Sequence, residues 1–255
     1  MRICKINNNS TEVDYKHLLR ISSHNSKFDE IVHQMLKQAK NFSNVTQTGF
    51  YTNQDKYTTS TSLSALFGLL DSLMGEKDEA LRIASLIMKH SYKKDHFIES
   101  DDDKANPIST ISSCLLLNEL NQNKIEIGIA INSLNINKDG FIVSNNDNTT
   151  KLTLPTALYG LMLFQVGDYT QAAKTLSLIQ NKIPKGEHGM YLSHIDNNSF
   201  TGVEISEVDV GVLLLETVVC GYKHDEYSDY VINYGSRSNN PILTLLLKGI
   251  YYATL

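Results

Sequence analysis

The chain repeats itself, and a repeat constrains the fold more than any single motif does, because each copy must bury its apolar face against the next. Gly49-Phe-Tyr-Thr-Asn-Gln-Asp55 is echoed by His96-Phe-Ile-Glu-Ser-Asp-Asp102, by Gly140-Phe-Ile-Val-Ser-Asn-Asn-Asp147 and by Gly189-Met-Tyr-Leu-Ser-His-Ile-Asp196. Each echo leads through a polar stretch into an apolar helix, a break and a second helix. The breaks fall at Gly75, Asn121 and Gly167, spaced 46 residues apart, with Gly221 following after 54. Gly and Asn belong there because they tolerate the left-handed backbone just past a last helical turn. The wider last interval places an insertion of about one loop in the fourth unit.

Within each unit the two helices differ in kind. The first is apolar nearly all round, as in Leu63, Ala65, Leu66, Phe67, Leu69 and Leu70, or in Leu154, Ala157, Leu158, Leu161 and Met162. Such a helix is buried on most sides. The second is amphipathic, as in Glu79 to Met88 and Tyr169 to Ile179, and covers the first from outside. Lys124 to Ile131 alternates with period two and alone reads as a strand; its place in the repeat makes it a helix.

An amphipathic segment at Phe28 to Phe42 precedes the first unit. An apolar segment from Pro241 to Leu255, opening with Pro at a helix start, follows the last. The expected fold is all-α: an α/α toroid (barrel) of about five inner and five outer helices with short β-hairpin-like loops on one face. The expected organisation is one domain, with residues 1–26 as an N-terminal extension, 49–234 as four hairpin-helix-helix repeats and 241–255 as a closing helix.

The G-F-[YI]-x-[NS] openings and Ser/Thr-led helices (Tyr57 to Ser62, Pro107 to Ser112, Leu152 to Thr156) resemble repeats of the terpene-cyclase and protein-prenyltransferase toroid superfamily. A weaker similarity runs to α/α-barrel glycosidases, lyases and epimerases. What the resemblance implies is a cavity open on the hairpin face and cyclase, isomerase or lyase chemistry. The chain has no Trp, so the Gln...Trp motif of triterpene cyclases is absent, and the zinc ligands of prenyltransferase β subunits have no counterpart. Ala157 to Ala173 also resembles a tetratricopeptide helix pair, but that family repeats at about 34 residues.

Composition narrows the partners. With 23 Lys+Arg against 28 Asp+Glu and a net charge of -5, no basic stripe is available to neutralise a phosphate backbone, and nucleic acid is not expected. No stretch reaches the roughly 18 apolar residues of a membrane span. Cys4, Cys114 and Cys220 are odd in number and far apart, which indicates neither a disulfide framework nor a thiolate metal site and points to a cytoplasmic location. Phosphate-loop, dinucleotide and nucleophile-elbow motifs are absent, and the sequence names no cofactor and no oligomeric state.

Candidate chemistry lies where units depart from the pattern. Glu99-Ser-Asp-Asp-Asp103 approximates the D-x-D-D acid motif of class II terpene cyclases and offers Asp102 as a proton donor. Asx side chains at the same place in all four units also suit a turn, and the turn is the stronger reading. In the fourth unit Glu187, His194, Asp196, Glu204, Glu207 and Asp209 gather around the insertion. Glu207 and Asp209 favour a helix N-terminus electrostatically, and with His194 they suit acid-base work at the mouth of the ring. The catalytic set is Asp102, His194, Glu207 and Asp209; Tyr51, Tyr159 and Tyr191 are set as substrate-binding; no metal site is assigned. Two functions fit: a small toroid enzyme for an apolar or oligomeric substrate, or a noncatalytic helical-repeat module holding a peptide or protein.

Overall fold

A computed structural model of the protein describes residues 26–53, 59–99, 105–187, 189–196, 202–221, 238 and 240–254. The described chain is mostly helical. Its helices are α1 (Ser26–Phe42), α2 (Thr61–Leu73), α3 (Lys77–His90), α4 (Pro107–Glu119), α5 (Lys124–Asn132), α6 (Thr153–Gln165), α7 (Tyr169–Lys182), α8 (Ser206–Cys220) and α9 (Pro241–Thr254). The extension at 1–25, Asp102 and the second helix expected in the fourth unit, at 222–234, lie outside the described residues.

The alternation of buried and amphipathic helices is visible in burial. In α2 every residue from Leu63 to Asp71 is buried, whereas α3 buries only Ala80, Ile83, Ala84 and Ile87. The same split separates α6 from α7. Lys124 to Asn132 is helical: its place between α4 and the next hairpin overrides the two-residue alternation.

Helix ends follow local chemistry. Ser60 and Asn106 cap α2 and α4 with their side chains, each accepting from the backbone N–H three residues on. Pro107 and Pro241 stand at first helical positions, where no N–H is needed. Past the last turns, Glu76, Gln122 and Asp168 donate their backbone N–H to the carbonyls of Asp71, Leu117 and Leu163 at 2.8, 2.8 and 2.9 Å. Gly75, Asn121 and Gly167 turn left-handed between them, with φ of 88°, 55° and 92°. These are Schellman closures, and they fix the 46-residue spacing.

The order of helix packing is cyclic. α2 packs on α4, α4 on α6, α6 on α8, α8 on α9, and α9 on α2. α3, α5 and α7 lie against the preceding apolar helix of their own units, and α1 lies along α9, where the Phe28 and Tyr252 rings meet at 5.7 Å. Two glycines allow close approach: a Cβ at Gly160 would stand 2.7 Å from Leu215, and one at Gly249 would stand 2.7 Å from Leu70. Leu66, Leu69, Leu115, Leu214 and Leu246, all fully buried, contribute to the core among these helices.

The strands are short: β1 (Ser43–Val45), β2 (Tyr51–Asn53), β3 (Tyr92–Lys93), β4 (His96–Phe97), β5 (Lys151–Leu152) and β6 (His194–Ile195). β1 pairs with β2 in the register Ser43↔Asn53 to Val45↔Tyr51, so the hairpin turn lies at Gly49 and not at the Asx stretch that follows it. Gly140 and Gly189 make the same turn, and all three glycines have positive φ, 93°, 99° and 80°. Asn146-Asp147 forms a separate Asx turn, in which the Asp147 carboxylate accepts from the backbone N–H groups of Thr149 and Thr150. β5 pairs with β6 and joins the third unit to the fourth.

Candidate functional site

One hydrogen bond recurs wherever a hairpin meets its helix. The backbone N–H of Tyr51 donates to Ser64 Oγ at 2.9 Å, that of Phe97 to Thr110 Oγ1 at 3.2 Å and that of Ile142 to Thr156 Oγ1 at 3.1 Å. In the fourth unit the N–H of Tyr191 donates to Asp209 Oδ1 at 3.0 Å. A hydroxyl satisfies this buried N–H in three units; a carboxyl does so in the fourth. The other oxygen, Asp209 Oδ2, has no hydrogen-bond partner among the described residues.

Burial is the main cause that raises the Asp209 carboxyl to about 7; the Glu204 charge adds to the rise, while the Tyr191 N–H and the Lys185 ammonium oppose it. Glu204 is itself buried and accepts the next backbone N–H, from Met190, at 3.1 Å. Lys185 Nζ stands 4.7 Å above the Tyr191 ring. Two carboxyl groups thus hold consecutive N–H groups of one hairpin, with an ammonium close by.

Glu207 begins the same helix but works elsewhere. Residues two apart on an α-helix are separated by about 200°, so Glu207 and Asp209 leave the helix in nearly opposite directions. Glu207 Oε1 accepts from the Asn240 backbone N–H at 2.6 Å and from Ser238 Oγ at 3.0 Å, which ties the start of α8 to the start of α9. Its Oε2 has no partner among the described residues. His194 lies in β6, half-buried, with Nδ1 2.9 Å from Ser193 Oγ and Nε2 3.6 Å from Asp196; Asp196 in turn accepts from Thr150 at 2.7 Å. The structure therefore places Asp209, Glu207 and His194 at the hairpin end of the fourth unit but gives them three separate sets of partners.

The tyrosines are also apart. Tyr51 stacks on Phe67 at 3.9 Å beside α3. Burial above all pushes its hydroxyl up to about 12, the charges of Asp71 and Glu79 adding to the effect. Burial likewise raises Tyr191 to about 12, with smaller contributions from Glu216 and Asp209. Tyr159 lines a groove against α7.

Glu99 is a residue that sequence reasoning passed over in favour of its neighbour Asp102. Its carboxylate accepts from Ser60 Oγ at 2.6 Å, from the Ser62 N–H at 3.0 Å, from Ser62 Oγ at 2.8 Å and from Ser109 Oγ. It thus clamps the N-termini of α2 and α4 together, where the helix dipoles favour an anion. The visible hint was a carboxylate where the third and fourth units, in the register of their openings, carry the apolar Val143 and Leu192. Among the described residues no group of three or more His, Cys, Asp or Glu is placed to hold a metal.

No family model matches the chain, and no curated protein matches it. Among solved structures, a novel α-amylase from Clostridium perfringens is similar, with a TM-score of 0.50 and 14% identity over 84% of this chain and 71% of that one. The likeness is one of fold alone, a mostly helical architecture. No helix among the described residues is long and apolar enough to cross a membrane. Cys114 is a buried free thiol, and Cys220 is disulfide-bonded, against the expectation that no cysteine pairs.

Proposed function

We propose that the chain is a small, single-domain α/α-toroid enzyme that performs carboxylate acid-base chemistry at the hairpin end of its inner helices on an oligomeric substrate, with an oligosaccharide as the first class to test. The cyclic order of helix packing, with α1 against α9, supports a closed ring. The similarity of fold to an α-amylase, a polysaccharide-cleaving enzyme by its name, supports the choice of substrate class by analogy alone.

The observation that carries the reading is Asp209. A hydroxyl suffices for its structural bond in three sister units, yet the fourth unit places a carboxyl there. Burial holds that carboxyl near the protonation midpoint at neutral pH, the condition for efficient general acid-base work. Glu99, held in place by four donors, is a second immobilised carboxyl group at the hairpin end. Asp102 and His194 are the further proton-handling candidates, His194 being held by Ser193 and Asp196.

A noncatalytic binding module is the second reading, favoured by one fact: Asp209 and Glu207 are both 2% exposed and each ties a loop to a helix. One variant separates the readings. Asp209→Thr retains the acceptor that Thr156 provides in the third unit, so the fold is kept. Turnover of α-glucans or other oligosaccharides by the native chain, lost in Asp209→Thr with unchanged circular dichroism, is the expected result. Equal turnover in both forms removes Asp209 from catalysis, and no turnover across oligosaccharide, polyprenyl and peptide panels favours the module.

A further inference from the structure

The first and third units differ on their outer side in a way the hairpin-end chemistry does not use. In the first unit the corner between hairpin and outer helix is plugged. Arg82 forms a two-pronged ion pair with Glu79, both contacts at 2.7 Å, and reaches the Gly49 carbonyl at 3.4 Å. The Tyr51 hydroxyl hydrogen-bonds Glu79. α3 and α7 align through their buried stripes, Ala80, Ile83, Ala84 and Ile87 matching Ala172, Thr175, Leu176 and Ile179. By that alignment Gln171 replaces Glu79 and Lys174 replaces Arg82. The recurring hairpin bond matches Ile142 to Tyr51.

Each replacement removes part of the plug. Gln171 cannot hold a cation, Lys174 lacks the planar fork, and Ile142 brings no hydroxyl. What results is a groove of about 370 Å³ between the turn at Gly140 and α7, lined by Tyr159, Gln171, Lys174, Leu178, Asn181 and Lys182 among others. Lys174 and Lys182 have no ion-pair partner among the described residues, and the one carboxylate in the lining, Asp139, lies 3.6 Å from Lys151. The groove is therefore cationic on a chain whose net charge is -5.

We propose that this groove binds an acidic saccharide, a hydroxyl-rich ligand bearing a carboxylate. Two ammonium groups about 12 Å apart along one helix meet carboxylates carried on different residues of the saccharide. The Gln171 and Asn181 amides, each able to donate and accept, suit neighbouring hydroxyls. Tyr159 and Leu178 offer an apolar face with a polar tip. The groove shares no lining residue with Asp209, Glu99, His194 or Tyr191 and does not depend on their chemistry.

Titration calorimetry with a galacturonate trimer, with maltotriose and with inorganic phosphate tests it on the full chain. The galacturonate trimer should bind and maltotriose should not. Lys174→Ala and Lys182→Ala should each weaken binding about tenfold, the scale of one hydrogen bond to a charged group. The triple variant Ile142→Tyr, Gln171→Glu, Lys174→Arg rebuilds the first unit's plug and should abolish binding while the helical spectrum is kept. Asp209→Thr should bind as the native chain does, so failure of the catalytic reading leaves this one standing. Absent galacturonate binding, equal binding of maltotriose or phosphate, or undiminished binding by the plugged variant overturns the proposal.

Discussion

Two buried aspartates, Asp71 in the first unit and Asp209 in the fourth, show how the same residue type is put to different use. Asp71 is fully buried and answered by a cation from another helix, Lys40 Nζ at 3.0 Å. Burial raises its carboxyl, and Lys40 opposes the rise. Asp209 is answered at hydrogen-bond distance by a backbone N–H instead, and burial carries it to about 7. A paired acid is a structural tie between α1 and α2. An acid left near its midpoint is a group that still has a proton to exchange.

The largest effect expected from this contrast is on pH dependence. The folded Asp209 pKa, about 7, lies above the ordinary 3.8, so the native state binds more protons than the unfolded state and stability falls as pH rises. The contribution is fully present below about pH 4 and is lost by about pH 7, on the order of 4 kcal/mol in all. Urea titrations of the native chain and of Asp209→Thr across pH 4–8 measure it. The variant should lose most of that slope and gain relative stability toward pH 8. Parallel curves for the two proteins would show that Asp209 ionises normally.

Removing the partner of Asp71 should cost somewhat less. Lys40→Met leaves a buried carboxyl without its cation, worth about 3 kcal/mol, the low end for an orphaned buried charge because Lys40 is itself 39% exposed. The loss should be greater at pH 8 than at pH 5, since an unpaired Asp71 can take up a proton at the lower pH. A loss independent of pH would mean that packing of the Lys40 stem, and not charge, holds α1 to α2.

The repeat itself was legible in the sequence because helix ends are governed by local chemistry. Gly75, Asn121 and Gly167 supply the left-handed residues that Schellman closures require, and Ser60 and Asn106 cap the helices they precede. Strand register was not legible: the polar run after Tyr51 advertises a turn, yet β1 and β2 pair across Gly49, and which of two adjacent turns closes the ladder is decided by pairing partners. The carboxylates of the fourth unit were visible as a cluster, but adjacency in sequence misled. Glu207 and Asp209 point apart, while Glu204 and Lys185, from different segments, are the groups that act on Asp209. Glu99 was hidden for the same reason, its donors lying 37 to 39 residues upstream and 10 downstream.

The hydroxyl side of the comparison is tested in the third unit. Thr156→Val keeps the shape of the side chain and removes the acceptor of the Ile142 N–H, which is then buried without a partner. The expected loss is about 2 kcal/mol, the desolvation cost of one orphaned donor, and it should not vary with pH because Thr does not titrate. Thermal denaturation at pH 5 and pH 8 reads both points. A loss under about 0.5 kcal/mol would show that the hairpin can shift to satisfy its N–H elsewhere, and the recurring bond would then be a by-product of the fold.

The smallest effect belongs to the plug. Arg82→Lys breaks the two-pronged contact with Glu79 and the reach to Gly49, but Arg82 is 42% exposed, so water screens what is lost and the change should stay within about 0.5 kcal/mol. The informative readout is therefore occupancy and not stability. Lys in this position is what the third unit carries, beside an Ile in place of Tyr51. If one substitution opens the corner, Arg82→Lys should acquire weak galacturonate binding; if Tyr51 and its bond to Glu79 are the real obstruction, only Tyr51→Ile with Arg82→Lys should do so. The geometry favours the second outcome, because the Tyr51 ring is held by its stack on Phe67 at 3.9 Å whichever cation stands beside it.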